Sequence, residues 1–126
     1  MFVFLWLWAL LCGVSGETAP ESVGKIRSSA EVAFSKGDIE GAAKLWAKVI
    51  ALEPTNDGNF FKRFRVFLRL NKYKEALADL NSALQLKPSN EAALVQKGKL
   101  ELRLGRCADA SSSFKKLQRY IWLPTS

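Results

Sequence analysis

Residues 71–88, NKYKEALADLNSALQLKP, decide the fold of this 126-residue chain. Alanines and leucines recur there at helical spacing among polar residues, and the pattern stops at a proline. The same arrangement occurs 34 residues earlier, over residues 37–54, and 34 residues later, over residues 105–122. An internal period of this length predicts an all-α solenoid built from helix-turn-helix units.

Residues at matching positions fix the register of the repeat, and they are Pro54 and Pro88; Ala42, Ala76 and Ala110; and Trp46, Leu80 and Phe114. Gly37, Asn71 and Gly105 occupy the turn position, where glycine and asparagine tolerate the left-handed conformation of a helix end. Ala30 and Gly98 leave room for close helix contact. We expect larger residues to fill the layer between hairpins, namely Ile26, Phe34, Trp46, Phe60, Phe64, Phe67, Leu80, Leu94, Leu102 and Phe114.

The domain organisation follows from this register. We predict helices over residues 22–35, 39–52, 59–70, 73–86, 91–104 and 108–120, with a turn over residues 55–58. These helices make three repeats, which span residues 23–56, 57–90 and 91–120. Residues 17–22 form a linker, and residues 121–126 form an irregular tail.

The N-terminus has the pattern of a targeting segment. Residues 2–14, FVFLWLWALLCGV, carry no charge, and as a helix they reach only about 20 Å, less than a bilayer core. Val14 and Gly16 are small residues at the spacing that cleavage requires. We predict that residues 1–16 form a signal peptide removed after Gly16, with an uncleaved membrane anchor as the alternative. Once cleaved, the chain has no membrane association. Cys107 would then be the remaining cysteine, and we expect it to be a small buried residue rather than a reactive thiol.

The composition argues against catalysis. The chain has a net charge of +7 and no histidine, which excludes histidine-based triads and histidine metal ligands. Its two cysteines cannot build a zinc site. No phosphate-binding glycine loop is present, and Glu75 and Asp79 are expected to be solvated on one helix face. We therefore predict no enzyme activity, no cofactor and no metal.

A basic run in the second repeat offers a nucleic-acid face as an alternative. Its residues are Lys62, Arg63, Arg65, Arg69, Lys72 and Lys74. Core phenylalanines interrupt the run, and a secretory protein rarely meets nucleic acid. We interpret these cations as solvated helix faces and predict no nucleic-acid partner.

The register residues resemble those of the tetratricopeptide repeat family, and residues 72–106 are similar to the N-terminal repeats of J-domain co-chaperones of the endoplasmic reticulum. Members of that kind carry a J domain with a His-Pro-Asp motif, which a chain without histidine lacks. The resemblance implies the client-holding half of the activity, in the endoplasmic reticulum lumen. We expect unfolded or misfolded client chains as partners, together with other chaperones.

The family's geometry implies a concave groove lined by the first helix of each repeat. The eight residues predicted to line it and bind clients are Arg27, Phe61, Lys62, Arg65, Leu68, Val95, Lys99 and Arg103. Glu31 is predicted to lie on the same inner face. Related repeats grip C-terminal carboxylates with Lys and Asn at positions that read Arg27, Glu31, Lys62, Ala92 and Gln96 here. Glu31 would repel a carboxylate and Ala92 cannot donate to one, so we predict no such clamp.

These observations predict a non-catalytic protein-binding module of the secretory pathway that holds client chains. The alternative is an adaptor that docks one specific partner, and a third possibility is a non-functional truncation of a longer protein. The last hairpin is expected to expose Phe114, Leu117 and Tyr120, and the chain is therefore expected to self-associate.

Overall fold

The computed structural model describes residues 22–122. The predicted signal peptide, residues 17–21 of the linker and the last four residues lie outside the described residues. The described part contains six α-helices, and they are α1 Val23–Lys36, α2 Ile39–Leu52, α3 Asp57–Arg69, α4 Tyr73–Leu86, α5 Glu91–Arg103 and α6 Cys107–Trp122. None of these helices combines the length and the hydrophobicity needed to cross a bilayer.

The helices pair in chain order, and the pairs stack. Helix α1 packs on α2, α3 on α4 and α5 on α6, while α2–α3 and α4–α5 contacts join neighbouring pairs. One apolar cluster lies mainly within the first pair and reaches Val66 of α3. A second cluster, around Phe64 and Leu80, joins the second and third pairs. The prediction of an all-α stack of helical hairpins is confirmed.

Each first helix ends in the same turn. Gly37, Asn71 and Gly105 have φ angles of 88°, 57° and 76°, the left-handed conformation predicted for this position. The next residue then donates its backbone N–H to a carbonyl five residues back, and the pairs are Asp38–Ala33 at 2.9 Å, Lys72–Phe67 at 2.9 Å and Arg106–Glu101 at 2.8 Å. These bonds satisfy carbonyls that the helix end would leave unpaired, and they turn the chain into the second helix.

At two equivalent positions, one on each helix of a hairpin, the sizes of the side chains differ from one hairpin to the next. In the first pair Ala30 faces Trp46, and both are almost fully buried. In the second pair the larger residue is on the first helix, because Phe64 is matched with Leu80. In the third pair a Cβ on Gly98 would lie only 2.6 Å from the Phe114 ring. In the first and third hairpins, a small residue on the first helix therefore accompanies a large aromatic residue on the second.

Two helix ends differ from the prediction by two residues, and the others agree within one. Helix α3 begins at Asp57, two residues earlier than expected, because the side chain of Asn56 accepts a hydrogen bond from the N–H of Gly58 at 3.1 Å and caps the helix. Helix α6 continues to Trp122, so residues 121 and 122 are not part of an irregular tail.

Two residues expected in the core are exposed. Leu102 is 50% exposed, whereas the neighbouring Glu101 is buried and accepts a hydrogen bond from Ser113 at 2.7 Å. Cys107 is exposed as the first residue of α6. Ile39 and Tyr73 occupy the same repeat position in the first two hairpins and pack against the core, but the shorter Cys107 does not replace those contacts. The interpretation of Cys107 as a buried residue is therefore wrong.

The prediction that Asp79 is solvated is also wrong. Its side chain is 3% exposed, not solvated, and it accepts two hydrogen bonds from Arg63, Nε to Oδ2 at 2.9 Å and Nη2 to Oδ1 at 2.7 Å. The Arg63 guanidinium lies over the rings of Phe60 and Phe67, at 5.9 and 5.4 Å from their centroids. This member of the basic run is thus an internal link between α3 and α4, not a solvated cation.

The close contact at Gly98 generates a stability prediction. Gly98→Leu should lower the free energy of unfolding by about 1–3 kcal/mol, because the new side chain would overlap the Phe114 ring. Adding Phe114→Ala to that variant should restore part of the loss, since it returns the space. Urea denaturation followed by circular dichroism measures both.

Gly24→Ala is the matched control, because no atom lies within 4 Å of a Cβ built there. Alanine at that helical position should leave stability unchanged or raise it slightly. A Gly98→Leu variant as stable as the original chain would contradict the size match.

Candidate functional site

The first helices of successive hairpins lie side by side. Lys62 on α3 forms an ion pair with Glu31 on α1, with Nζ and Oε1 2.7 Å apart. The Arg65 guanidinium lies over the Phe34 ring of α1, 5.7 Å from its centroid. Arg69, which the sequence analysis did not assign to the groove, lies over the same ring at 5.5 Å. These contacts join α1 to α3. The surface along α1, α3 and α5 is called here the first-helix face.

All eight predicted groove residues lie on these three helices. Arg27 is on α1; Phe61, Lys62, Arg65 and Leu68 are on α3; Val95, Lys99 and Arg103 are on α5. Of the eight, Arg65, Lys99 and Arg103 are exposed, and the others are half-buried. The face therefore combines half-buried apolar side chains with exposed cations. Whether these residues bind a client stays a prediction.

A cavity of about 190 Å³ opens between α3 and α5. Three predicted residues, Leu68, Lys99 and Arg103, line it together, while Phe64 and Leu100 supply apolar wall. Gln96 also lines the cavity, although the sequence analysis considered it only for a carboxylate clamp. Arg103 is held over the Tyr73 ring, 5.0 Å from its centroid. The cavity thus has an apolar interior and a cationic edge.

Phe61 is anchored rather than freely displayed. Its ring packs against Phe64 in a tilted arrangement, with centroids 5.4 Å apart and an angle of 45° between the planes. Because Phe64 belongs to the core, a substitution at Phe61 would disturb packing as well as the surface. Leu68 also packs against this cluster, whereas Val95 is half-buried on α5 and is the cleaner probe of the apolar part of the face.

Arg27 is engaged by an acidic group at the first junction between hairpins. Its Nη2 lies 2.6 Å from Oε2 of Glu53, which follows α2. The same oxygen accepts hydrogen bonds from Asn59 at 3.1 Å and from Asn56 at 3.3 Å. The hydrogen bond from Asn59, with the nearby charge of Arg27, lowers the pKa of Glu53 below its ordinary value of 4.5. This carboxylate fastens α1, the connecting loop and α3.

The buried pair between α3 and α4 has an electrostatic signature of its own. Burial raises the pKa of Asp79, and the two hydrogen bonds and the charge of Arg63 oppose that shift. The pair faces the interior of the second hairpin and so contributes structure rather than a binding surface. Within residues 22–122, no group of three or more cysteine, aspartate or glutamate side chains is placed to hold a metal ion.

Comparison with known proteins agrees with this architecture. No family model matches the chain. A solved structure described as the first TPR of Spaghetti (RPAP3) bound to the HSP90 peptide SRMEEVD superposes with a TM-score of 0.71. It covers 84% of this chain and 82% of that one, at 20% sequence identity, which shows the fold. With its 34-residue period and its repeated turn, the chain has the fold of tetratricopeptide repeat proteins.

Two curated relatives are similar to the chain in sequence. The chain is 32% identical to DnaJ homolog subfamily C member 3 of Rattus norvegicus over 106 residues, which are 84% of this chain and 20% of the relative. It is 31% identical to Protein SGT1 homolog of Oryza sativa subsp. japonica over 97 residues, which are 77% of this chain and 26% of the relative. The chain therefore spans about a fifth to a quarter of the length of these relatives.

The lowered pKa of Glu53 gives a pH prediction. A carboxylate with a depressed pKa in the folded state stabilises the fold above its unfolded pKa, and this stabilisation is lost as the pH falls through the folded pKa. Glu53→Gln should therefore be less stable than the original chain at neutral pH, and the difference should shrink below pH 4.5. Urea denaturation at a series of pH values measures it.

Glu40→Gln, an exposed substitution on α2, is the control and should follow the original chain at each pH. A stability difference for Glu53→Gln that stays constant from neutral to acid pH would contradict the role given to this carboxylate.

Proposed function

We propose that this chain is a non-catalytic protein-binding module that holds unfolded or misfolded polypeptide segments along its first-helix face. The observation that carries the proposal is the combination of half-buried apolar side chains, such as Leu68 and Val95, with the exposed cations Lys99 and Arg103. Aromatic and aliphatic contacts impose little directional demand, so such a surface accepts many sequences. The cations add attraction for acidic segments.

The proposal includes the repeat organisation and the destination of the chain. The three hairpins correspond to repeats over residues 23–56, 57–90 and 91–120, and residues 1–16 direct the chain into the endoplasmic reticulum lumen. Similarity to DnaJ homolog subfamily C member 3 supports a role beside other chaperones. The chain spans a fifth of that relative, so the client-holding part of the activity is the part proposed here.

The second candidate function is an adaptor for one specific partner. A solved neighbour is described as bound to an HSP90 peptide, so the fold accommodates a defined ligand of that kind. In this chain, however, Arg27 is paired with Glu53 and Lys62 with Glu31. A free C-terminal carboxylate would have to compete with both acids. We expect the peptide SRMEEVD to bind weakly or not at all.

Client holding is tested by suppression of aggregation. The chain should delay aggregation of a reduced model protein such as insulin, followed by light scattering. The variant Leu68→Ser/Val95→Ser should lose most of this effect, because it removes apolar area from the first-helix face. Each buried methylene contributes about 0.8 kcal/mol to such contacts, so the loss should be large. Circular dichroism checks that the variant keeps its helices.

Leu52→Ser provides a matched control, since Leu52 is 50% exposed on α2, away from the first-helix face. It should suppress aggregation as the original chain does. An original chain that gives no suppression would end the proposal. A peptide array then separates the two functions: binding to many apolar sequences favours client holding, and binding to one sharp motif favours the adaptor.

A further inference from the structure

A second and larger cavity lies on the other side of the stack. It has a volume of about 470 Å³ and opens between α4 and α6, the second helices of the last two hairpins. Leu84 and the buried Leu94 supply apolar wall, and Lys116 and Arg119 lie exposed at its edge on α6. It shares no lining residue with the cavity between α3 and α5. This region is therefore separate from the first-helix face.

The repeat itself explains why the cavity exists. One period earlier, Leu94, Lys97 and Ser113 of this cavity correspond to Phe60, Arg63 and Asp79. At that earlier position the arginine is fixed by two hydrogen bonds to the aspartate and lies over the phenylalanine ring, so the three side chains form a plug. At the later position each residue is smaller, and an equivalent plug is not formed.

The interior charges of the cavity are already balanced. Ser113 donates a hydrogen bond to Oε2 of Glu101 at 2.7 Å, and Lys97 lies 3.7 Å from Oε1 of the same carboxylate. The charge available to a ligand therefore comes from Lys116 and Arg119. These residues are three positions apart on α6, so they are neighbours on one face of the helix. The cavity thus presents two adjacent cations above an apolar wall.

We propose that this cavity is a second polypeptide-binding site, one that takes a short acidic segment with an aliphatic side chain between its acids. The lining on α6 runs from Ser113 to Tyr120, which corresponds to about 11 Å of helix. An extended chain advances about 3.3 Å per residue, so roughly three residues fit along it. The acids meet Lys116 and Arg119, and the aliphatic side chain enters beside Leu84 and Leu94.

The test measures binding of a fluorescein-labelled peptide of alternating glutamate and leucine, blocked at both ends. Fluorescence anisotropy at low salt, with the full chain, gives the affinity. The variant Lys116→Glu/Arg119→Glu should weaken binding roughly tenfold, because two attractions become repulsions. Leu94→Phe, which restores the larger residue of the earlier position, should also weaken binding. A peptide of lysine and leucine should bind more weakly than the acidic one.

Two matched double variants serve as controls. Lys44→Glu/Lys48→Glu reverses two exposed charges on α2, and Lys99→Glu/Arg103→Glu reverses two on the first-helix face. Lys44→Glu/Lys48→Glu should retain binding within a factor of about three, since surface charges elsewhere act weakly through screening. Lys99→Glu/Arg103→Glu reports any peptide held on the first-helix face and should lose less binding than Lys116→Glu/Arg119→Glu. Circular dichroism identifies any variant that fails to fold. If Leu94→Phe fails to fold, the charge reversals at exposed positions still test the site.

The outcomes divide clearly. Selective loss on reversing Lys116 and Arg119 supports the site. Absence of binding by the original chain overturns it, as does unchanged binding in that variant. An equal or greater loss in Lys99→Glu/Arg103→Glu also overturns it, because the peptide would then occupy the first-helix face. The proposed client-holding function is tested separately by Leu68→Ser/Val95→Ser, so the two proposals can fail independently.

Discussion

The structure depends on how closely the two helices of each hairpin can approach. Where Gly98 faces Phe114, the ring occupies the space that a side chain on the first helix would need. The second hairpin solves the same problem with Phe64 and the smaller Leu80. The hairpins thus accommodate different pairs of side chains and still stack in register. Without that register, α1, α3 and α5 would not form one continuous surface.

The repeated turn and the variable polar pairs have different roles. The turn residues and their backbone bonds recur every 34 residues, so each chain reversal is the same. The polar side chains inside the hairpins are not repeated: Arg63 and Asp79 pair directly, whereas Lys97, Glu101 and Ser113 form a looser set one period later. The backbone thus sets the architecture, and the side chains at equivalent positions decide where cavities open.

The period in the sequence predicted most of the fold because backbone conformation and apolar spacing repeat locally. The helices and the turns at Gly37 and Asn71 could be read from residues near each other in the chain, and the repeat register marked Gly98 as a position of close helix contact. The buried Asp79 could not, because its burial depends on Arg63, sixteen residues away on another helix. The burial of Glu101 could not be predicted for a similar reason, since its partner Ser113 lies on α6.

The candidate site was predictable in position but not in its electrostatics. Helical spacing was enough to place eight residues on the first helices. It gave no sign that Arg27 would meet Glu53 or that Arg65 and Arg69 would share the Phe34 ring. Those contacts join residues in different repeats, and no local pattern in the sequence records them. The cavity between α4 and α6 likewise became visible only when equivalent positions could be compared in space.

The links between neighbouring hairpins differ at the two junctions of the stack. At the first junction, the carboxylate of Glu53 gathers donors from α1, the loop and α3. One period later the corresponding residue is Lys87, which cannot accept those bonds. There a side-chain hydrogen bond runs from Asn90 to Asp57, at 3.1 Å. The large cavity also lies beside this second junction. The two junctions are therefore held by different forces: ionic and polar bonds gathered at Glu53 fasten the first, whereas the apolar cluster around Phe64 and Leu80 joins the second and third hairpins, and salt screens the first kind of link and not the second.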